Sequence, residues 1–238
     1  MRSHRFYIDQ KLEKGAVMRV QNEDLLHQWL KVFRMSVLDR VVLFNGDGRE
    51  FEGFFEMLSK KEATVVIDKE NTIKNTLKTE LHIFQAVIKK DHFELVVEKC
   101  TEIGASAFHP IVAERSEKKD LNSERLKKIA IESSEQSGKV RVPEIFEPTS
   151  LEIAIKDFDG LPGQGEMLAL DFGAESFSKA FEKLSAPRIG IFIGPEGGWT
   201  DAEREVFKKN KVKCISLGPQ ILRAETAAIA ASSLILLS

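Results

Sequence analysis

The sequence predicts an α/β protein in two parts: a small, mostly β domain over residues 1–72 and a larger domain over residues 73–238 built around a mainly parallel sheet. Three observations predict it. Short alternating runs such as Arg40-Val41-Val42-Leu43-Phe44 and Ala63-Thr64-Val65-Val66-Ile67 fill the N-terminal part. From Glu80 onward, apolar strand-like runs alternate with helical patterns. Two of those runs lead directly into loops that pair Gly with Pro.

Taken in order, Met1-Arg2-Ser3-His4-Arg5 leads into a short strand-like segment with no apolar signal region, so the protein is expected in the cytoplasm. Asn22 caps a helix in which Leu25, Leu26, Trp29, Leu30 and Phe33 recur at helical spacing. Asn45-Gly46-Asp47-Gly48 signals a hairpin, and without a third glycine it is no dinucleotide fingerprint. The polar stretch Asp68 to Thr79 marks the boundary. Beyond it, strands are expected at Leu81–Val87, Ala107–Val112, Met167–Asp171, Ile189–Ile193 and Cys214–Leu217. Capping boxes are expected at Asp91 with Glu94, Thr149 with Glu152 and Thr200 with Glu203. The apolar stretch Ala227 to Leu237 is too short to span a bilayer and reads as a buried helix.

The chain has 238 residues, 42% of them hydrophobic and 30% charged, with a formal charge of −2. That balance excludes a protein that grips nucleic acid with its whole surface, so any such contact must come from a local patch. Cys100 and Cys214 lack disulfide or zinc spacing and read as small buried hydrophobes. The five histidines have no ligand spacing either, so no metal is expected. His82 and His109 lie on apolar strands, where a hydrogen-bonded structural role is the usual outcome.

In an open α/β sheet, ligands bind beyond the carboxyl ends of strands, which directs attention to the segments after Asp171, Ile193 and Leu217. Arg188-Ile189-Gly190-Ile191-Phe192-Ile193 runs straight into Gly194-Pro195-Glu196-Gly197-Gly198-Trp199-Thr200. Glycines there let backbone approach a ligand closely. No Lys-Ser or Lys-Thr follows them, and Glu196 would repel a polyphosphate, so a ligand with a positive centre suits the loop better. The second loop, Leu217 to Arg223, precedes a largely apolar helix whose first turn carries Glu225 and Thr226.

At this point the residues form a pattern. Ile193-Gly194-Pro195-Glu196-Gly197-Gly198 and Leu217-Gly218-Pro219-Gln220-Ile221-Leu222-Arg223-Ala224-Glu225-Thr226-Ala227 resemble the paired signatures of the RsmE-type ribosomal RNA methyltransferases of the SPOUT superfamily. His4-Arg5-Phe6, Val32-Phe33-Arg34, Glu98-Lys99 with Thr101-Glu102-Ile103-Gly104, Glu114-Arg115-Ser116 and Glu135-Gln136-Ser137-Gly138 with Arg141-Val142-Pro143 follow in family order. The resemblance implies an N-terminal PUA-like β-barrel, a SPOUT domain with a trefoil knot, and a homodimer. It also implies methylation of N3 of a uridine in 16S rRNA with S-adenosyl-L-methionine as methyl donor. Gln220 stands where the family often has Arg, Lys139 where Arg is common, and Leu170-Asp171-Phe172-Gly173 matches only loosely.

On this resemblance, the cofactor is expected against Leu170, Ile193, Gly194, Pro195, Glu196, Gly197 and Gly198. Leu217, Gly218, Ile221, Leu222, Thr226 and Ala227 are expected to line the same pocket. Arg223 is the expected catalytic group, since a guanidinium can donate two hydrogen bonds to developing negative charge. Glu225 is open to three readings, a base, an orienter of Arg223 or a purely structural charge at the helix terminus, and Glu196 either faces the cofactor's positive end or caps its own loop. Arg2, Arg5, Arg19 and Arg34, with Arg115, Lys139 and Arg141, are candidate contacts to RNA phosphates. Two other readings remain: a non-catalytic RNA-binding module, and a Rossmann-type methyltransferase, which Ile88-Lys89-Lys90 disfavours because it lacks the glycine-rich turn.

Overall fold

Alternation in the N-terminal part becomes a five-stranded sheet in a computed structural model that describes residues 4–72, 78–116, 121–181 and 186–237. Its members are β1 (Arg5–Tyr7), β2 (Val17–Val20), β3 (Arg40–Phe44), β4 (Arg49–Leu58) and β5 (Ala63–Thr72), in the spatial order β1-β3-β4-β5-β2. β1 runs parallel to β3, and the other pairs are antiparallel. The β3–β4 connection is the hairpin read from Asn45-Gly46-Asp47-Gly48, with positive φ at Gly46 (87°) and Gly48 (95°), where a side chain would be strained. Asn22 caps helix α1 (Glu23–His27), its Oδ1 accepting the Leu25 amide at 3.0 Å. The expected single helix then widens into a π-helical turn over Gln28–Val32, where the Phe33 amide donates to the Gln28 carbonyl at 2.9 Å. That turn sits where Trp29 is fully buried against Phe6 and Phe55. Burial of each such aromatic contributes about 2–3 kcal/mol.

The remaining strands are β6 (Glu80–Ala86), β7 (Ala107–Ile111), β8 (Glu144–Ile145), β9 (Gly165–Ser176), β10 (Arg188–Ile193) and β11 (Lys213–Ser216). They form one all-parallel sheet in the order β11-β9-β10-β6-β7-β8. Between them come α2 (Lys90–Ile103), α3 (Ser123–Ser137), α4 (Leu151–Asp159), α5 (Phe177–Phe181) and α6 (Asp201–Lys209), and α7 (Ala224–Leu236) ends the series. Both faces are covered. Ile189, Ile191 and Ile193 of β10 join a core with α2, α3 and α7, while Phe192 joins a second core with α4 and α6. A strand buried on both sides has no polar alternation, which is why β10 reads as a continuous apolar run.

Chain contacts divide the molecule into one unit of residues 1–75 with 134–141 and another of residues 76–133 with 142–238. The first unit thus takes in Ser134–Arg141, a segment the sequence reading placed in the second domain. Its link there is concrete: the Tyr7 amide donates to Glu135 at 2.8 Å.

Two of the three expected capping boxes are displaced. α2 starts at Lys90 with no side-chain cap, and Glu94 instead lies 3.7 Å from Lys90 and 3.5 Å from Arg125. At α4 the cap is Ser150, which accepts from the Ile153 amide at 3.4 Å. Thr149 is drawn into a bridge with Ile111, and its backbone bonds to Pro110 and Val112 hold it outside the helix. Thr200 and Glu203 do form the reciprocal box at α6. A further difference is β9, which resumes pairing at Glu175 and Ser176 after Leu170–Ala174 loop out of its ladder with β11.

His82 and His109 are both buried, with His82 Nδ1 and His109 Nε2 3.0 Å apart and His82 Nε2 3.1 Å from Glu80. His109 is stacked between Phe84 and Phe146. Burial, followed by repulsion from His82, pushes the His109 pKa down from 6.5 to about 3. The unfolded chain therefore takes up a proton that the folded state refuses, so this contribution is complete above pH 6.5 and lost as pH falls towards 3. Urea unfolding across that window is expected to show a shallower pH slope for His109→Gln than for the parent; equal slopes would refute the account.

Candidate functional site

The middle of β9 and the carboxyl ends of β10 and β11 open on one cleft of about 440 Å³ within the second unit. Its walls are the looped-out start of Leu170–Ala174, the segment Gly194–Trp199 after β10, and the segments flanking Pro219 after β11. In the first glycine loop, the Gly198 amide donates to the Pro195 carbonyl at 2.8 Å, and Gly198 takes the left-handed φ of 66° that this tight turn requires. Trp199 is buried beneath the loop, and its Nε1 donates to the Leu170 carbonyl at 3.0 Å. A Cβ on Gly194 would lie 3.2 Å from that indole, so glycine is what lets the two pack.

α6 leaves the loop through the Thr200 cap. From its first turns Arg204 reaches back to Asp171, with Nε to Oδ2 at 2.7 Å and Nη2 to Oδ1 at 3.0 Å. The Asp171 hydrogen bond raises the Arg204 pKa further above its ordinary value. Cys214, half-buried, has its thiol pKa raised by burial first and by Asp171 second. Both members of the Asp171–Arg204 pair line the cleft, and neither was singled out from the sequence. Asp171 stood at an expected strand end, but nothing local marked Arg204 as its partner.

The structure brings Leu170, Ile193, Gly194, Pro195, Glu196, Gly197 and Gly198 together with Leu217, Ile221, Leu222 and Ala227 around this cleft. Gly218 and Thr226 do not line the cleft. Arg223 does, at the N-cap position of α7; it is exposed and forms no ion pair among the described residues. Gln220 lines it as well. Glu196 is exposed, and no described amide caps it.

Glu225 is placed differently from its neighbours in the motif. It is buried and does not line the cleft; its Oε2 lies 3.6 Å from His92 Nδ1 on α2, and neither atom has a hydrogen-bond partner among the described residues. A residue in the first turn of α7 can face either the loop or α2, and Glu225 faces α2.

Of the candidate RNA contacts, Arg2 lies outside the described residues. Arg5 is paired with Glu50 and also donates to the Lys139 carbonyl at 3.4 Å, while Arg19 is paired with Glu62. Arg34 and Arg141 are exposed, and the Arg141 guanidinium lies against Gly48. Lys139 is half-buried, which lowers its pKa. Arg115 belongs to the second unit and donates to the Gly197 carbonyl at 2.7 Å. No cluster of His, Cys, Asp or Glu suited to a metal ion occurs among the described residues.

Comparison with known proteins adds the family. A model of the RNA methyltransferase domain matches residues 75–236, and one of the RNA methyltransferase PUA domain matches residues 30–68. The ribosomal RNA small subunit methyltransferase E of Rickettsia conorii is 32% identical, over 97% of this chain and 94% of its own length. That of Bacillus subtilis is 30% identical, over 97% of this chain and 95% of its own. Among solved structures, the Neisseria gonorrhoeae ribosomal RNA small subunit methyltransferase E bound to S-adenosyl methionine superposes with a TM-score of 0.87 at 26% identity, covering 98% of this chain and 97% of that one.

The Trp199 bond generates a test of the cleft's construction. Trp199→Phe keeps most of the packing and leaves the Leu170 carbonyl without its donor, so it is expected to lower unfolding free energy by about 1–2 kcal/mol. Urea denaturation measures this, and an unchanged midpoint would show the bond to be dispensable.

Proposed function

The chain belongs to the RNA methyltransferase family, and from that premise we propose that it uses S-adenosyl-L-methionine to methylate N3 of a uridine in 16S rRNA of the small ribosomal subunit. The observation that carries the reading is the convergence of Gly194–Gly198 and Ile221–Arg223 on one cleft. The RsmE-type resemblance seen in the sequence and the named relatives point the same way.

The residues present fit this cofactor. A cleft of about 440 Å³ is in the range of small-molecule sites. Leu170, Ile193, Leu217, Ile221 and Leu222 offer apolar surface to an adenine, and the glycine loop offers backbone groups. Glu196 leaves a carboxylate open toward a cationic ligand. When bound, S-adenosylmethionine supplies an electrophilic methyl group on a sulfonium.

Arg223 is the proposed catalytic residue. Uracil N3 becomes nucleophilic as its proton passes to solvent, and negative charge then spreads to O2 and O4; the Arg223 guanidinium, without an ion pair among the described residues, meets that charge with two donors. Glu225 is assigned to holding the first turn of α7, and through it Arg223, because it faces His92 rather than the cleft.

The target base has to leave its stack to reach the cleft. We assign the grip on neighbouring phosphates to the N-terminal unit as a PUA-like barrel, with Arg34, Lys139 and Arg141 as its contacts. Arg5 and Arg19 are the less suited, since carboxylates already engage them. Family membership supports a trefoil knot in the second unit, a homodimer and a place in the cytoplasm. Exposed Leu95 on α2 with Leu234 and Leu237 at the end of α7 are apolar surface that dimerisation would cover, which light scattering tests.

Calorimetry with S-adenosylmethionine and mass mapping of rRNA from a deletion strain test the function directly. Arg223→Ala is expected to lower the methylation rate by about 100-fold or more while cofactor affinity stays within a few-fold. A rate within a few-fold of the parent would falsify the charge-stabilising role.

A further inference from the structure

Arg115 stands among the expected RNA contacts, yet its guanidinium is already engaged. Nη1 donates to the Gly197 carbonyl at 2.7 Å, and the side-chain stem lies against the same glycine. The next amide along, that of Gly198, donates to the Pro195 carbonyl at 2.8 Å. The peptide unit between Gly197 and Gly198 is therefore held at both edges, its oxygen by Arg115 and its N–H by the turn.

The segment that carries Arg115 is itself fixed. The Ala113 amide donates to Ser116 Oγ at 3.1 Å, closing a turn beyond β7. The Glu114 amide donates to Glu203 Oε1 at 3.0 Å, and the other oxygen of that buried carboxylate accepts from the Thr200 amide at 2.7 Å. Arg115 thus reaches the glycine loop from a base tied to the helix that follows the loop.

Gly197 gives an independent indication. It is absent from the glycines with positive φ, so its backbone conformation does not demand glycine. What crowds a side chain there is Arg115: an added Cβ would lie 3.1 Å from Arg115 Cδ and 3.3 Å from its Cβ, so the stem would have to give way by a few tenths of an ångström. Displacing that stem would also displace the donor to the Gly197 carbonyl.

Resting on the assignment of the cleft to a cofactor, we propose that Arg115 is a positioning residue for the glycine loop and not a contact to RNA. It holds the loop's backbone in the form that receives S-adenosylmethionine, and Gly197 is glycine to admit it.

Calorimetry with S-adenosylmethionine and steady-state methylation of small ribosomal subunits test this. For Arg115→Ala, the cofactor Kd and KM are expected to rise roughly tenfold, the loss of one charge-assisted hydrogen bond. The kcat should stay within about twofold, and the RNA KM and its salt dependence should be unchanged. Arg115→Lys should recover part of the affinity, because an ammonium can still donate to one carbonyl. Gly197→Ala should weaken cofactor binding in the parent and do so less in the Arg115→Ala background. A raised RNA KM with a flatter salt dependence and unchanged cofactor affinity would overturn the proposal, as would strictly additive effects of the two substitutions. Failure of the parent protein to bind S-adenosylmethionine would instead reject the cofactor assignment, and is seen before any variant is made.

Discussion

The hydrogen bond from the Trp199 indole to the Leu170 carbonyl joins the loop after β10 to the point where β9 leaves its ladder with β11. Each partner needs the other. A carbonyl in a looped-out segment has lost a ladder donor, and a buried indole N–H is stabilised by an acceptor. The ring also fills the space beneath Gly194 and meets Phe207 edge-on at 4.9 Å, so loop, strand end and α6 are fixed by one side chain. The cleft exists because these three elements cannot move independently.

Much of the fold was legible because its causes are local. β10 announces itself through burial on both faces, the β3–β4 hairpin through its turn residues, and α6 through Thr200 and Glu203. What was not legible depends on distant partners. The cap of α4 moves to Ser150 because Thr149 bridges to Ile111, and β8 is only two residues long. The π-helical turn after α1 accompanies the fit of Trp29 between Phe6 and Phe55, which no spacing rule records.

The site divides in the same way. Gly and Pro at strand ends pointed to both loops. Asp171 and Arg204 are 33 positions apart, and their pairing follows from the geometry of the sheet. The apolar pattern of α7 shows that it is buried without showing which face meets α2, and on that distinction turns the placement of Glu225 beside His92. Charges in the cleft are accordingly of two kinds. Asp171 and Arg204 satisfy each other as part of the wall, whereas Glu196 and Arg223 remain open to a ligand.

Ser134–Arg141 returns to the N-terminal unit after a long excursion of the chain, and Glu135 accepts the Tyr7 amide there. That unit is consequently not a contiguous piece of sequence. A fragment ending at the polar boundary would leave the β1 backbone without this acceptor and Arg5 without the Lys139 carbonyl. During synthesis the first strands emerge well before the helix end that completes them. Closure of the small sheet unit must wait for more than half of the chain, and non-local contacts of this kind slow folding.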